Sequence, residues 1–266
     1  MRAKSVLLVS IVAAAMALPL SAQLKLRPKT SEYTVGPSVQ PLVIIGEGWS
    51  QQFIIVNVDY YEAAPTVGTL SFFTADGQPW NLPLQGLGSV DHVDVNLASG
   101  QMMMLETQVS FGPQQLGWAS FDLTTNTNQW GIYNAYTIFR KQQSGRPDLT
   151  TTAGFVVGLQ DEWILPFDNT GAKYPGLGVV NTGSQSETYT LRVYNVSGSL
   201  LKTIVKTVQP LSLTWFSLIA ENPDLIETKG QIKVTGGLFD SAVFALQFTP
   251  NGAFTNVPVT STFGLN

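Results

Sequence analysis

Two stretches decide how this chain is read: Tyr189–Val205, YTLRVYNVSGSLLKTIV, and Gly68–Leu84, GTLSFFTADGQPWNLPL. Laid over one another at an offset of 121 positions, Leu70 meets Leu191, Phe72 meets Val193, Phe73 meets Tyr194 and Gly77 meets Gly198. In both, large apolar residues alternate with polar ones up to a turn dipeptide, Asp76-Gly77 or Ser197-Gly198. Period-two alternation closed by such a dipeptide is the pattern of a half-buried strand running into a hairpin.

Working outward, the same grammar continues on both sides. QFIIVNV, VDVNL, MMMLETQV, GWASFDL and AYTIFR follow one another in the first half; GLGVVN, LSLTWFSLI, GQIKVT and VFALQFT answer them in the second. No window of 12 or more residues after the leader carries the i, i+3, i+4, i+7 apolar spacing of a helix. Only AENPDLIE, where Asn222-Pro223 precedes acidic residues, predicts a single helical turn. Six or seven short strands per half predict an all-β chain of two tandem antiparallel β-sandwich domains related by internal duplication. The offset falls from 121 to 113 at Gly117/Gly230 and to 109 at Phe139/Phe248, so the first copy is the longer one. Strands must keep their length to keep their partners, which places the extra residues in loops, chiefly QGLGSVDH and TTNTNQWGIYN. The expected divisions are a signal peptide over 1–22, a linker over 23–41, a first domain over 42–154 and a second over 155–266. Each half is expected to hold its own core and to unfold independently.

The leader MRAKSVLLVSIVAAAMALPLSAQ carries Arg2 and Lys4, an apolar run from Val6 to Leu18, and small residues ending at Ala22. That is the build of a secretory signal peptide, with the mature chain starting near Gln23 and the protein secreted, extracellular or periplasmic. Its apolar run is shorter than the ~20 residues of a membrane span, so no membrane association is expected after cleavage. Without the leader, 12 basic residues stand against 18 acidic ones, a balance that disfavours nucleic acid and anionic membrane as partners. There is no cysteine, so stability must come from packing rather than disulfides.

ILPFDNTG, GLGVVNTG, KGQIKVTGG and the closing LQFTPNGAFTNVPV resemble segments of a group of uncharacterised secreted bacterial β-sandwich proteins, in which PFDNTG-like and FTPNGAF-like segments recur. The resemblance covers the second half well and the first half loosely, where FRKQQSG departs from FTPNG. It implies the fold and export. The group has no assigned activity, so no catalytic residue is carried over.

Sites of chemistry are sparse. One histidine, His92, and no Gly-x-Ser-x-Gly elbow leave no basis for a Ser-His-Asp hydrolase. His92 and Asp94 share a strand face but lack a third metal ligand nearby. Asp161 and Glu162 are adjacent and point to opposite sides of a strand, unlike the facing carboxylates of a glycosidase. Asp168 and Asn169 in PFDNTGA fit either an Asx turn or, less well, part of a calcium loop. No cofactor or metal is expected.

The most suggestive residues are Trp130 and Tyr133 in TTNTNQWGIYN, with Asn128 and Gln129 beside them. An aromatic face next to amides suits stacking on a sugar ring, and the competing arrangement folds Trp130 back onto its own domain. Trp118, by contrast, fits a domain seam. The functional expectation is a non-catalytic secreted surface or matrix interaction module binding a glycan or cell-envelope polymer, or an extracellular protein. The alternatives are a structural subunit that self-associates through bare edge strands, with FIIVNV and LGVVN as the edges, and a glycoside hydrolase.

Overall fold

The computed structural model describes residues 38–59, 64–124, 133–157, 162–237 and 240–261. The leader, most of the expected linker, Asp161, and Asn128, Gln129 and Trp130 lie outside these residues. Among the described residues no helix is long and apolar enough to cross a membrane.

The chain is all-β. Its first half contributes β1 (Ser38–Ile45), β2 (Trp49–Asn57), β3 (Thr66–Thr74), β4 (Leu82–Leu84), β5 (Gly88–Val90) and β6 (His92–Leu97). It continues through β7 (Met102–Glu106), β8 (Gln115–Leu123), β9 (Tyr133–Gln143), β10 (Arg146–Gly154) and β11 (Val156–Val157). The second half has β12 (Glu162–Asp168), β13 (Tyr174–Asn181), β14 (Glu187–Asn195), β15 (Leu200–Val208), β16 (Ser212–Ser217) and the short helix α1 (Leu218–Glu221). It closes with β17 (Lys229–Thr235), β18 (Ser241–Phe248), β19 (Phe254–Asn256) and β20 (Thr260–Ser261). The helical turn expected near AENPDLIE is α1 together with a 3₁₀ turn over Pro223–Leu225, with the Ser217 hydroxyl accepting from the Ala220 N–H.

All pairing among these strands is antiparallel, in four larger sheets and the β4–β5 hairpin. Sheet I runs β11-β1-β8-β3-β6 and sheet II runs β10-β9-β2-β7; sheet III runs β20-β12-β17-β14-β15 and sheet IV runs β19-β18-β13-β16. Sheets I and II close on one core, where Val43, Phe53, Ile55, Leu70, Phe72 and Phe121 meet. Sheets III and IV close on another, with Leu165, Leu177, Tyr189, Leu191, Val193 and Ile232. Strand orders in I and III, and in II and IV, follow one another position by position along the chain, with β4 and β5 as the additional pair in the first half.

Local geometry repeats with the order. A Cβ on Gly117 would lie 2.0 Å from the Phe73 carbonyl oxygen, and one on Gly230 would lie 1.9 Å from that of Tyr194. Asn57 and Asn181 are both fully buried, and each turns its side chain back on the loop that follows it. The Asn57 amide donates to Leu97 O at 2.9 Å while its Oδ1 accepts from Asp59 N at 2.8 Å. That of Asn181 donates to Val208 O at 3.2 Å while its Oδ1 accepts from Gly183 N at 2.9 Å. One expected equivalence shifts: counted from the pairs Asn57/Tyr133 and Asn181/Ser241, Phe139 corresponds to Gln247 rather than Phe248. In a strand, one residue is the difference between opposite faces.

Several expected boundaries also move. Residues 38–41 stand in β1, not in a linker. Pro37 and Pro41 read as linker punctuation, but a proline is tolerated where a ladder is interrupted. The ladder from β1 to β8 does skip from Gln40 to Val43, and the Gln51 side chain bridges the gap by donating to Leu42 O and accepting from Ile44 N. Val156 and Val157 pair with β1, so the first half runs past residue 154. The extra residues around QGLGSVDH are the β4–β5 hairpin, whose Leu82 and Leu84 are fully buried in the first core. FIIVNV and LGVVN, expected as bare edges, are interior: β2 is flanked by β9 and β7, and β13 by β18 and β16.

Each half has its own core, but more than a string joins the two. A third cluster takes Val39, Leu42, Ile44, Trp118 and Phe139 from the first half, and Val180, Leu213, Ala242, Phe244 and Leu246 from the second. Alternation explains it: on β1, Val43 and Ile45 face the first core while Leu42 and Ile44 face the seam, and on β18, Val243 and Ala245 face the second core while Ala242, Phe244 and Leu246 face the seam. The outer faces of sheets I and IV thus meet. Polar bonds cross with them: Leu213 N donates to Ala75 O at 2.8 Å and Asn256 N to Thr151 Oγ1 at 3.0 Å. Trp118 sits at the seam as expected, stacked on Phe73 and donating its indole N–H to Leu211 O at 3.1 Å.

Candidate functional site

Of the four expected ligand-binding residues, Tyr133 alone is described. Its ring lies edge-on to Phe121 at 4.9 Å, and its hydroxyl donates to Ser38 Oγ at 2.8 Å. Burial pushes its pKa up. This side chain belongs to the packing of the first half, and offers its phenol to β1 rather than to a ligand.

The other flagged residues find ordinary partners. His92 Nδ1 lies 2.7 Å from Asp91 Oδ1, and Asp94 accepts from Thr69 Oγ1 at 3.3 Å. Among the described residues no three His, Cys, Asp or Glu side chains converge as a metal site. Glu162 is ion-paired with Lys233 at 2.5 Å. Asp168 forms the Asx turn: Oδ1 accepts from the Thr170 N–H at 2.9 Å and from the Thr170 hydroxyl at 2.6 Å, while Oδ2 meets Lys173 Nζ at 2.5 Å. Protein donors thus occupy both of its carboxylate oxygens.

Those donors, Lys173 first and then Thr170, hold the Asp168 carboxyl down at about 2. A depressed carboxylate pKa stabilises the fold above the ordinary value of 3.8 and loses that contribution as pH falls toward 2. The side chain is more than a third exposed, so solvent screening keeps the effect below about 1 kcal/mol. Asp168→Asn is expected to lower the melting temperature at pH 7 by at most ~2–4 °C, with the difference from wild type vanishing near pH 2. An equal drop at both pH values would mean that the charge contributes nothing.

The pronounced concavity with directional chemistry lies where the halves meet. It is a slot of about 270 Å³ whose first-half wall holds Leu42, Ile44, Trp49 and Lys141, and whose second-half wall holds Tyr174, Gly176, Trp215 and Phe248, with Gln114 and Ser217 also lining it. Tyr174 and Phe248 are directly opposed across the β13–β18 ladder and stack at 5.1 Å, 14° from parallel. Trp49 is only 2% exposed, packs on Phe254 at 4.6 Å, and has Lys141 Nζ 5.0 Å from its ring centre.

Trp215 owes its position to two glycines. Gly176 and Gly178 are two residues apart on β13 and so present the same face, beside Trp215 on the paired strand β16. A Cβ on Gly176 would stand 2.3 Å from the indole Cζ2, and one on Gly178 3.0 Å from Cε3. The bare backbone is what lets the indole lie down across the strand. The signal was present in YPGLG, two glycines at i, i+2 inside an apolar strand, but the tryptophan that fills the trough is some 40 residues away in sequence.

A second cavity of about 380 Å³ opens among Ala153, Phe155, Val156, Trp163, Phe244 and Val257. Among its described lining residues the polar side-chain groups are the Asn256 amide and the indole N–H of Trp163, which has no hydrogen-bond partner. It offers much less than the slot to orient a ligand. Compared with protein family models, curated proteins and solved structures, the chain matches none.

Proposed function

We propose that this chain is a secreted, non-catalytic binding module, built as two tandem sandwiches that arose by duplication, and that it takes a glycan in the aromatic slot between them. The slot carries the reading. Its walls carry the rings of Trp215, Tyr174 and Phe248, with a lysine and a glutamine amide to meet hydroxyls. Aromatic faces with a few placed polar groups are what a sugar ring requires. Among the described residues no carboxylate and no histidine line it, which supports binding without general acid–base chemistry. Duplication is supported by the shared strand order and by Gly117 and Asn57 recurring as Gly230 and Asn181 in the same contacts. Export rests on the leader alone.

The test is a glycan array on the mature chain, followed by titration of variants. Trp215→Ala is expected to weaken binding per folded molecule by about 30-fold, the ~2 kcal/mol that an aromatic hot spot carries. Trp130→Ala in the same titration separates the slot from the segment 125–132. A glycan whose affinity ignores Trp215→Ala but falls with Trp130→Ala would move the site to that segment; an array with no hit would remove the glycan reading.

A further inference from the structure

We infer that the slot selects an acidic sugar, with the ring carboxylate drawn to Lys141; this rests on the glycan reading above and specifies its substrate class. Among the described residues, Lys141 is the single cation that lines the slot, and no acidic residue lines it with Lys141. The other half-buried lysines are neutralised within the fold: Lys173 by Asp168, Lys202 by Asp224, Lys206 by Glu221 and Lys233 by Glu162. Arg140, the preceding residue on β9, points to the opposite face and is paired with Glu106. Among the described residues, Lys141 has no carboxylate within ion-pair distance, and its ammonium lies over the face of Trp49.

An ammonium held over an indole keeps its charge and can turn its N–H donors toward an incoming acceptor. A carboxylate answers that arrangement better than a hydroxyl does, because a hydrogen bond between two charged groups is roughly twice as strong as one between neutral groups. The aromatic walls lower the local dielectric and strengthen it further. A volume of about 270 Å³, just under the ~300–1,000 Å³ usual for drug-sized ligands, suits one ring of a chain rather than an extended oligomer. The protein as a whole has a net charge of −4, so the general field does not gather anions, and any preference for an acidic ring must come from this lysine.

The experiment titrates the mature protein with a galacturonate oligosaccharide and with its fully methyl-esterified form, which keeps the ring and loses the charge. The acid is expected to bind about tenfold more tightly than the ester, and Lys141→Gln, checked by thermal melt for intact folding, is expected to abolish that difference, the acid falling to the affinity that the same variant shows for the ester. Raising the salt concentration should weaken the acid and spare the ester. Equal binding of acid and ester by the wild type, or an acid preference that survives Lys141→Gln, would overturn the inference and leave the glycan reading standing. A Trp215-dependent neutral glycan from the array with no affinity for galacturonate would do the same. Absence of binding to every sugar tested would overturn both.

Discussion

Gly230→Ala is expected to cost about 3 kcal/mol or more of folding stability, although a glycine-to-alanine change in a strand ordinarily stabilises by about 0.5–1 kcal/mol. The sign reverses because there is no room. The added Cβ would sit 1.9 Å from Tyr194 O and 2.9 Å from two backbone atoms of Asn195, so the neighbouring strand itself has to move. Gly117→Ala should behave the same way, with its Cβ 2.0 Å from Phe73 O and 2.6 Å from the Trp80 ring. Gly86→Ala is the control: a Cβ there meets nothing within 4 Å, and only its positive φ of 77° opposes the change. Thermal melts of the three variants decide the matter. If Gly117→Ala and Gly230→Ala differ widely, the two positions do not do the same job, and the case for duplication loses its sharpest geometric support.

Trp118→Ala should cost a further large amount, about 3–5 kcal/mol, as expected for a fully enclosed indole. The residue is 1% exposed, stacks on Phe73 at 4.3 Å, and is the donor to Leu211 O across the seam. What distinguishes this variant is how the loss is distributed. With Val180, Phe244 and Leu246 of the second half packed into the same cluster, both halves should lose stability together in one shifted transition. Calorimetry showing two transitions, with only the lower one moved, would mean that each half stands alone. For the same reason, a fragment of either half is expected to bind a hydrophobic dye and to associate with its partner fragment, since each exposes its share of the third cluster.

The strands themselves were legible because alternation and turn dipeptides are local. Thr74 and Asn195 close their turns with the same bonds, from Gln78 N and Ser199 N to their side chains, just where Asp76-Gly77 and Ser197-Gly198 announced them. The order of strands within a sheet was not legible. Whether FIIVNV lies at an edge depends on β7 and β9, dozens of residues away, and no short-range pattern encodes that pairing. The seam lay between these extremes. PLVII and AVFALQF lack alternation altogether, the mark of a strand covered on both faces. That pattern says that a second layer exists without saying which one. The slot was hidden for the same reason: Trp49, Lys141, Tyr174 and Trp215 become neighbours only after both halves have folded and met.

Apart from the contact between the edge strands β10 and β19, the halves meet through unlike faces, sheet I of one against sheet IV of the other, and in strand order sheet IV is the counterpart of sheet II, not of sheet I. A contact between like faces would be finished once made, as two hands are when clasped. A contact between unlike faces resembles bricks in a course, where each laid brick offers its neighbour's bed again at the far end. Here the two far ends are finished differently. The outside of sheet II still shows Met102 and Met104 beside Val56, whereas the outside of sheet III is mostly polar, with Thr188, Thr190, Arg192 and the Lys233–Glu162 pair around the exposed Val205. The course has therefore one end richer in bare apolar side chains than the other, and on the duplication reading a third unit laid by the same rule would meet the more polar bed.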